Sequence, residues 1–521
     1  MKTCYITTPI YYSSGNVHIG NSYSTIACDV FSRYHRLNGY DTFFLTGMDE
    51  HGQKIENAAK KQQKNPQSLV DEIAKSTEEL WKNLNISNND FIRTSEERHY
   101  RIVQAIFERL LAQGDIYLGE YEGDYCVPCE AFLTKTQLVN EKFCPDCGRE
   151  TIKVKEESYF LNLKKYEKRL LQYIKEHPHF IQPETRKNEV ISFIEQGLED
   201  LCVSRTSFQW GIPVLSNPKH VIYVWIDALS NYLTALGYQS GNDELYRKYW
   251  LEGTKVFHIV GKDILRFHAI YWPIMLMALE VPLRFELIAH GWILMKEGKM
   301  SKSIGNVVYP MDVVNRYGLD PLRFYLIKEM SLGNDGVFTY ERFIEKYNVD
   351  LANDLGNLVS RTISMVNKYQ QGIVYKPTAT YFSWDQEVEG KIADVIQTYQ
   401  NDFNRFAFQD GLQEVWSLVG RANKYIDETI PWALAKDPNQ QKALQSVLYR
   451  LLEMIRVVTI MIAPVMPDTA HIILEELGLD QTHLSFLELQ YGAVDTMKVT
   501  EKPIVLFKRL DLEEEIKKYG I

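Results

Sequence analysis

An apolar run over residues 3–11 leads through a His18-Ile19-Gly20 turn into a stretch, Gly20 to Leu37, whose apolar residues recur at helical spacing. A second strand-like run, Thr42 to Leu45, follows, then a turn read at Gly47 and another helical stretch. Strand, turn, helix and strand in that order open a parallel α/β sheet, because only a crossover helix can return the chain to a parallel neighbour. Ligands in such sheets sit beyond the carboxyl ends of the strands. The His18 turn and the segment Gly47-Met48-Asp49-Glu50-His51-Gly52 both fall at such ends.

At 521 residues the chain exceeds what one hydrophobic core supports, so two to four domains are expected. The α/β pattern breaks from about Gly119 to Phe208, which reads as an inserted domain. It returns with the strand-like runs His220–Trp225 and Lys255–Val260, and with Leu287–Leu294 as a last strand. From about Asp350 helical periodicity takes over, over Asp350–Tyr369, Glu387–Ala407, Leu412–Glu428, Gln440–Ile462 and Thr469–Leu477. An all-helical second domain follows from this. No stretch reaches the ~18 apolar residues of a membrane span, and Pro9 with its polar neighbours interrupts any signal peptide. A cytoplasmic protein with no membrane partner is expected. The net charge of −10 argues against unspecific nucleic-acid binding by the whole surface. It leaves room for a local basic track, for which Lys60, Lys61, Lys64, Lys164, Lys165, Lys168 and Arg169 are candidates.

Four of the seven cysteines stand as Cys126-x-x-Cys129 and Cys144-x-x-Cys147, 14 residues apart. Two such pairs, each followed by a turn-like stretch, supply four thiolates to one tetrahedral zinc ion. A closed sulfur shell leaves no open position, so the expected Zn2+, one per chain, is structural.

A histidine beside glycine at a strand-to-helix turn suits phosphate chemistry. The glycine admits close backbone approach, and the helix offers its positive N-terminal end. Some 280 residues further on stands Lys299-Met300-Ser301-Lys302-Ser303, a small polar loop with two cations able to hold a leaving pyrophosphate. Together the two motifs resemble the ATP-handling signatures of class I aminoacyl-tRNA synthetases. The residues between and beyond them narrow the resemblance to the methionyl-tRNA synthetase family, from about Met1 to about Asp511. The resemblance implies a Rossmann-type parallel sheet catalytic domain, an inserted zinc-knuckle domain and an all-helical anticodon-binding bundle. The implied divisions are 1–118 and 220–298 for the two catalytic halves, 119–219 for the insertion, 299–349 for the lysine loop and stem-contact region, and 350–521 for the bundle. One position departs from the family: Asn21 stands where a second histidine is usual, and an amide cannot carry positive charge.

The resemblance assigns His18, Asn21, Lys299 and Lys302 to catalysis. It adds Gly20, Asp263, Met300, Ser301 and Ser303 to the ATP site, with Mg2+ accompanying the nucleotide. Methionine needs an aromatic and aliphatic pocket, an anion for its ammonium group and a donor near sulfur. The matching positions are Ile10, Tyr12, Asp49, Trp225, Leu229, Tyr232, Ile264 and His268, with Asp49 suited to the ammonium. Taken singly, Trp225 could be core, His268 a satisfied buried histidine and Asp49 a helix cap; their joint order favours the site.

Asn353, Asn357 and Arg361 recur every four residues and share a helical face, with Leu351, Leu355, Leu358 and Val359 on the other side. Such groups suit splayed-out bases, and Trp432, just beyond a helix, suits stacking. The resemblance makes these four residues readers of the CAU anticodon. The implied activity is methionine–tRNA ligation, with ATP, L-methionine and initiator and elongator tRNA(Met) as partners. Rival readings are a synthetase for another apolar amino acid and a non-catalytic tRNA-binding relative. Many relatives continue into a further dimer-forming domain after the point matching Asp511, so a monomer is expected.

Overall fold

The computed structural model describes all residues except Ser14, 127–130, 134–137, Asp146, Tyr223, Glu297, 301–305 and 520–521. Two compact units divide the chain, one of Met1–Val17 and Asp41–Ala289, the other of His18–Tyr40 and His290–Ile521. The helix α1 (Ile19–Leu37) therefore belongs to the second unit although it follows the first strands in sequence.

The first unit is built on a parallel sheet of β1 (Thr3–Thr7), β2 (Tyr11–Tyr12), β3 (Asp41–Asp49), β4 (Asp90–Arg93), β5 (Ile181–Gln182), β6 (Lys255–Gly261) and β7 (Glu286–His290). Every residue of β1 is buried, as a strand covered on both faces requires. β3 pairs with β1 from Thr3↔Asp41 to Thr7↔Leu45, and β2 resumes that line with Tyr11↔Met48 and Tyr12↔Asp49. The expected single strand over residues 3–11 is thus broken between Thr7 and Tyr11. Beyond β1 the order runs β6, β7, β5. Tyr5, Trp250, Trp272 and Leu287 fill the core around the sheet.

Three sequence expectations change here. Gly47 makes no turn; β3 runs through it, and a Cβ there would meet the Ile92 carbonyl oxygen at 2.0 Å. The glycine serves the close approach of β4. Among the described residues of the run His220–Trp225, Val221–Ile222 form a strand paired antiparallel with Ser204–Arg205, and Trp225 rides a helix, Val224–Leu229. A short apolar run cannot distinguish a strand from a buried helix by pattern alone. Leu287–Leu294 is two strands rather than one. Gly291 separates them where the Asn334 carbonyl oxygen comes within 2.1 Å of a would-be Cβ.

The inserted region is antiparallel. Strand Ile116–Cys126 pairs with Ile152–Leu161 from Ile116↔Leu161 to Tyr125↔Ile152, and with Ala131–Leu133 at its far end, so the ladder delivers Cys126 to its tip.

In the second unit a small sheet joins β8 (Ile293–Met295) antiparallel to β9 (Gly298–Lys299) and parallel to β10 (Gly336–Val337). The helices α2 (Leu319–Glu329), α3 (Asn357–Gln370), α4 (Ser383–Asn404), α5 (Phe408–Thr429), α6 (Gln441–Ile462) and α7 (Pro467–Glu476) make the bundle. α6 is buried continuously from Ser446 to Ile462, the mark of a central helix. α1 is tied to this unit by Phe31, 4.5 Å from the Phe406 ring centroid, and by a fully buried ion pair, Asp29 Oδ2 to Arg323 Nη2 at 2.5 Å. Arg323 also donates to the carbonyls of Pro464 and Val465, between α6 and α7. Asp320 in α2 accepts the backbone N–H of Thr469 in the first turn of α7 at 2.6 Å, capping that helix from outside. Burial raises its carboxyl to about 6, against the lowering pull of the Thr469 hydrogen bonds and of Arg323. Among the described residues no helix is long and apolar enough to cross a membrane.

Candidate functional site

In the second unit His18 is the N-cap of α1. The backbone N–H of Gly20 donates to His18 Nδ1 at 3.1 Å, and the N–H of His18 donates to Asn21 Oδ1 at 3.4 Å, closing a capping box. Because Nδ1 accepts, the proton of a neutral ring sits on Nε2, leaving that atom a donor. Asn21 therefore has a structural part that sequence reasoning missed, as the residue that closes the turn. Gly20 is needed for the same turn, since a Cβ would lie 3.0 Å from His18 Cε1 and 3.7 Å from Met300 Cε. The stem of the lysine loop returns to this point. The N–H of Ile19 donates to the Val308 carbonyl at 2.9 Å, and Asn306 Nδ2 donates to the Lys299 carbonyl at 3.4 Å. Lys299 Nζ lies 3.4 Å from the centroid of the Trp292 ring, a cation–π contact. The second unit thus gathers His18, Gly20, Asn21, Lys299 and Met300; Ser301, Lys302 and Ser303 lie outside the described residues.

The first unit brings the apolar candidates together. Tyr232 and Leu229 belong to its core, with Ile10, Trp225 and Ile264 set against it. Trp225 stacks on Phe267, centroids 3.4 Å apart and planes 9° from parallel. Phe267 was not singled out from sequence, although it lies in the same segment as Ile264 and His268. Tyr232 Oη is 2.7 Å from His268 Nε2, and His268 Nδ1 is 2.9 Å from the Ile264 carbonyl. A carbonyl only accepts, so Nδ1 holds the proton and Nε2 accepts from Tyr232. Burial depresses the His268 pKa to about 4, with the Ile264 hydrogen bond and Asp263 opposing, so the ring stays neutral at pH 7. Asp49 ends β3 opposite Tyr12, and its carbonyl accepts the N–H of Ser13 at 2.9 Å. Lys54 Nζ lies 5.4 Å from the Tyr12 ring centroid. Asp263 is exposed, in a short 3₁₀ turn over Lys262–Ile264.

In the inserted region Cys126, Cys144 and Cys147 bring their sulfurs within 4.8 Å of one another. Tetrahedral zinc with Zn–S near 2.3 Å sets sulfurs about 3.8 Å apart, so the three thiols fit one metal. A turn from Cys144, with Gly148 N–H donating to its carbonyl at 2.9 Å, forms one knuckle. Cys129 lies outside the described residues. Arg205 stacks over the ring of Tyr125, next to Cys126, at 4.2 Å.

On the bundle, Asn353 and Asn357 are exposed and Arg361 is half-exposed, while Leu351, Leu355, Leu358 and Val359 are buried. The helix is wound as a π-helix over Tyr347–Gly356 before α3 begins. Asn423 Nδ2 of α5 donates to the Asp354 carbonyl at 3.2 Å, and Arg361 lies 3.9 Å from Asp427. Trp432, just past the end of α5, is 42% exposed, unusual for an indole with no role at the surface.

The model for tRNA synthetases class I (M) matches residues 4–154 and 147–363, and the model for the anticodon binding domain of methionyl tRNA ligase matches 377–519. Both matches place the chain among the class I aminoacyl-tRNA synthetases. The methionine–tRNA ligase of Enterococcus faecalis is 53% identical over 527 residues, covering 99% of this chain and 78% of the relative. That of Bacillus subtilis is 52% identical over 530 residues, covering 99% and 79%. Mycobacterium tuberculosis methionyl-tRNA synthetase in complex with methionyl-adenylate superimposes with a TM-score of 0.93 at 38% identity, over 98% of this chain and 100% of that one. The chain belongs to the methionyl-tRNA synthetase family. It activates methionine with ATP to methionyl-adenylate and pyrophosphate and charges tRNA with it; a role as a synthetase for another amino acid or as a non-catalytic relative is set aside.

Proposed function

We propose that His18, Gly20 and Asn21, with Lys299, Met300, Ser301, Lys302 and Ser303, handle the triphosphate during methionine activation. The methionine carboxylate attacks the α-phosphate and pyrophosphate leaves; a ribose hydroxyl of the terminal adenosine of tRNA then displaces AMP. No side-chain nucleophile is required, so the residues act by orientation and by donors aimed at developing charge. His18 Nε2–H donates at the α-phosphate, and Lys299 and Lys302 stabilise the leaving pyrophosphate. Mg2+ enters with ATP and offsets phosphate charge. The observation that supports this reading most directly is the Ile19–Val308 hydrogen bond, which holds the base of the lysine loop at the His18 turn.

Asp49 takes the methionine ammonium, and Ile10, Tyr12, Trp225, Leu229, Tyr232, Ile264 and His268 enclose the side chain, with Asp263 toward adenosine. Asn353, Asn357, Arg361 and Trp432 read the CAU anticodon of initiator and elongator tRNA(Met). Cys126, Cys129, Cys144 and Cys147 hold one structural Zn2+. The functional divisions of this reading are catalytic halves at 1–118 and 220–298, insertion at 119–219, loop and stem-contact region at 299–349 and anticodon bundle at 350–521, although Ile181–Gln182 of the insertion pairs in the parallel sheet and His18–Tyr40 falls in the second unit. The enzyme works in the cytoplasm, where its tRNA substrate is.

ATP–pyrophosphate exchange tests the reading. Methionine should drive exchange far better than leucine, isoleucine or valine. His18→Ala should lower the rate by about 100-fold with the KM for methionine little changed, the scale of losing one donor to transition-state charge. Full activity in His18→Ala would refute the assignment.

A further inference from the structure

The segment Asp49-Glu50-His51 carries a feature that the reaction above leaves unused: the two residues that follow Asp49 are both held by charged groups. The Glu50 carboxylate is fully buried, and it accepts from Arg93 Nε at 2.8 Å and from the Ser95 hydroxyl. The backbone N–H of Glu50 donates to Thr94 Oγ1 at 2.9 Å, and its carbonyl accepts from Trp210 Nε1 at 2.5 Å. One residue further on, His51 Nδ1 meets Asp227 Oδ2 at 2.6 Å. The second oxygen of Asp227 meets His99 Nε2 at 2.8 Å, and His99 Nδ1 meets Thr234 Oγ1 at 2.8 Å.

Asp227 and His99 are wholly buried, and His51 nearly so. Burial pushes the Asp227 carboxyl up, but the charges and hydrogen bonds of His51 and His99 more than offset it and hold it below the usual range. Asp227 lies on the helix Val224–Leu229 that carries Trp225 and Leu229, and Thr234 lies two residues from Tyr232. One buried carboxylate therefore ties the strand end that bears Asp49 to the helix that bears the aromatic wall. An ion-linked cluster is an expensive way to secure a core, because apolar packing of similar volume serves stability as well or better. What it adds is a fixed distance and orientation between two elements.

We propose that Asp227, through His51 and His99, and Arg93, through Glu50, are positioning residues that set the Asp49 carboxylate at the separation from Trp225 and Tyr232 that methionine spans. The proposal rests on the reading that Asp49 takes the ammonium group. Its consequence is selective: loosening either grip weakens methionine binding and leaves ATP binding alone.

The test is steady-state pyrophosphate exchange with thermal unfolding run in parallel. Asp227→Leu should raise the KM for methionine by about tenfold or more with the KM for ATP within about twofold, the signature of a misplaced substrate anchor. Asp227→Asn keeps one acceptor and one donor for the two histidines and should recover most of the loss. Arg93→Ala acts on Glu50 from a partly exposed position and should raise the KM for methionine severalfold; it decides the matter with His99→Gln if Asp227→Leu fails to fold. Asp49→Asn is the reference. If Asp49→Asn raises the KM for methionine but Asp227→Leu, His99→Gln and Arg93→Ala lower only the unfolding temperature or kcat, the positioning proposal is overturned. If Asp49→Asn leaves the KM unchanged, the ammonium reading falls and the proposal falls with it.

Discussion

The ring of His18 takes the backbone N–H of Gly20 onto Nδ1 at 3.1 Å, so the first turn of α1 fixes both the tautomer and the direction of that imidazole. A Cβ on Gly20 would press on the ring from 3.0 Å. Gly20→Ala should therefore displace His18 and slow adenylate formation by about tenfold or more, since a misplacement of a fraction of an ångström is costly at a reacting centre. Methionine affinity, set in the proposed reading by residues of the other unit, should hold. Pre-steady-state adenylate formation and methionine binding by calorimetry separate the two; a variant with a normal adenylation rate would contradict this account of the turn.

The three converging thiols predict one tightly held zinc per chain in protein purified without chelator, measured by elemental analysis. Cys126→Ser should lose the metal and loosen the end of the inserted sheet. Because the metal site is remote in sequence from His18 and Lys299, tRNA charging should suffer more than pyrophosphate exchange. Zinc retained at full stoichiometry in both Cys126→Ser and Cys144→Ser would count against the site.

Trp432→Ala should split the two half-reactions. Loss of one stacked base costs about 1–3 kcal/mol of tRNA binding, which appears as a raised KM for tRNA, while pyrophosphate exchange continues near the wild-type rate. Asn357→Ala and Arg361→Ala should behave alike. Normal charging by all three variants would remove the anticodon role from this face.

Asp320 predicts a pH dependence of stability. Its carboxyl is raised from 3.8 to about 6 by burial. Below the unfolded value it is protonated in both states and costs nothing. As pH rises through the folded value the buried charge must form, and stability is lost, by about 3 kcal/mol at most. Asn keeps an acceptor for the Thr469 N–H but carries no charge. Asp320→Asn should thus gain stability relative to wild type between pH 4.5 and pH 7.5, measured by denaturant unfolding. An identical difference at both pH values would sink this.

Much of the architecture was readable from pattern. The helices α4 to α7 fall within a few residues of their expected bounds, because 22-residue amphipathic segments such as Ser383–Asn404 and Phe408–Thr429 carry several turns of periodic signal, whereas the helix expected from Asp350 is π-wound to Gly356 and continues from one that starts at Tyr340. Short runs misled. Gly47 looks like a turn until β4 is seen crowding it, and Trp225 looks like a strand end until its helix is seen, because a neighbouring strand or helix decides both cases. Among the candidate site residues, those carried by a motif could be named from sequence, and the structure gathers His18, Gly20, Asn21, Lys299 and Met300 in one unit. Phe267, Asp227 and His99 were missed because each meets a partner distant in sequence, as Asp227 meets His51, 176 residues away. Asn21 was read as a weakened catalytic group, whereas its capping bond to His18 is a backbone matter that composition does not signal.

The membership of α1 in the second unit has a consequence for synthesis. Ile26, Ala27, Val30 and Phe31 are completely buried, and Phe31 and Asp29 find Phe406, Phe408 and Arg323 as neighbours. On the ribosome this helix emerges about 250 residues before the chain reaches His290, a delay of roughly 10 to 50 s at ordinary elongation rates. Throughout that interval a helix that follows β2 by six residues, with its buried face of Ile26, Ala27, Val30 and Phe31, has none of its second-unit partners, so the nascent chain must shield that face, by chaperone or by provisional contacts, until the C-terminal half arrives.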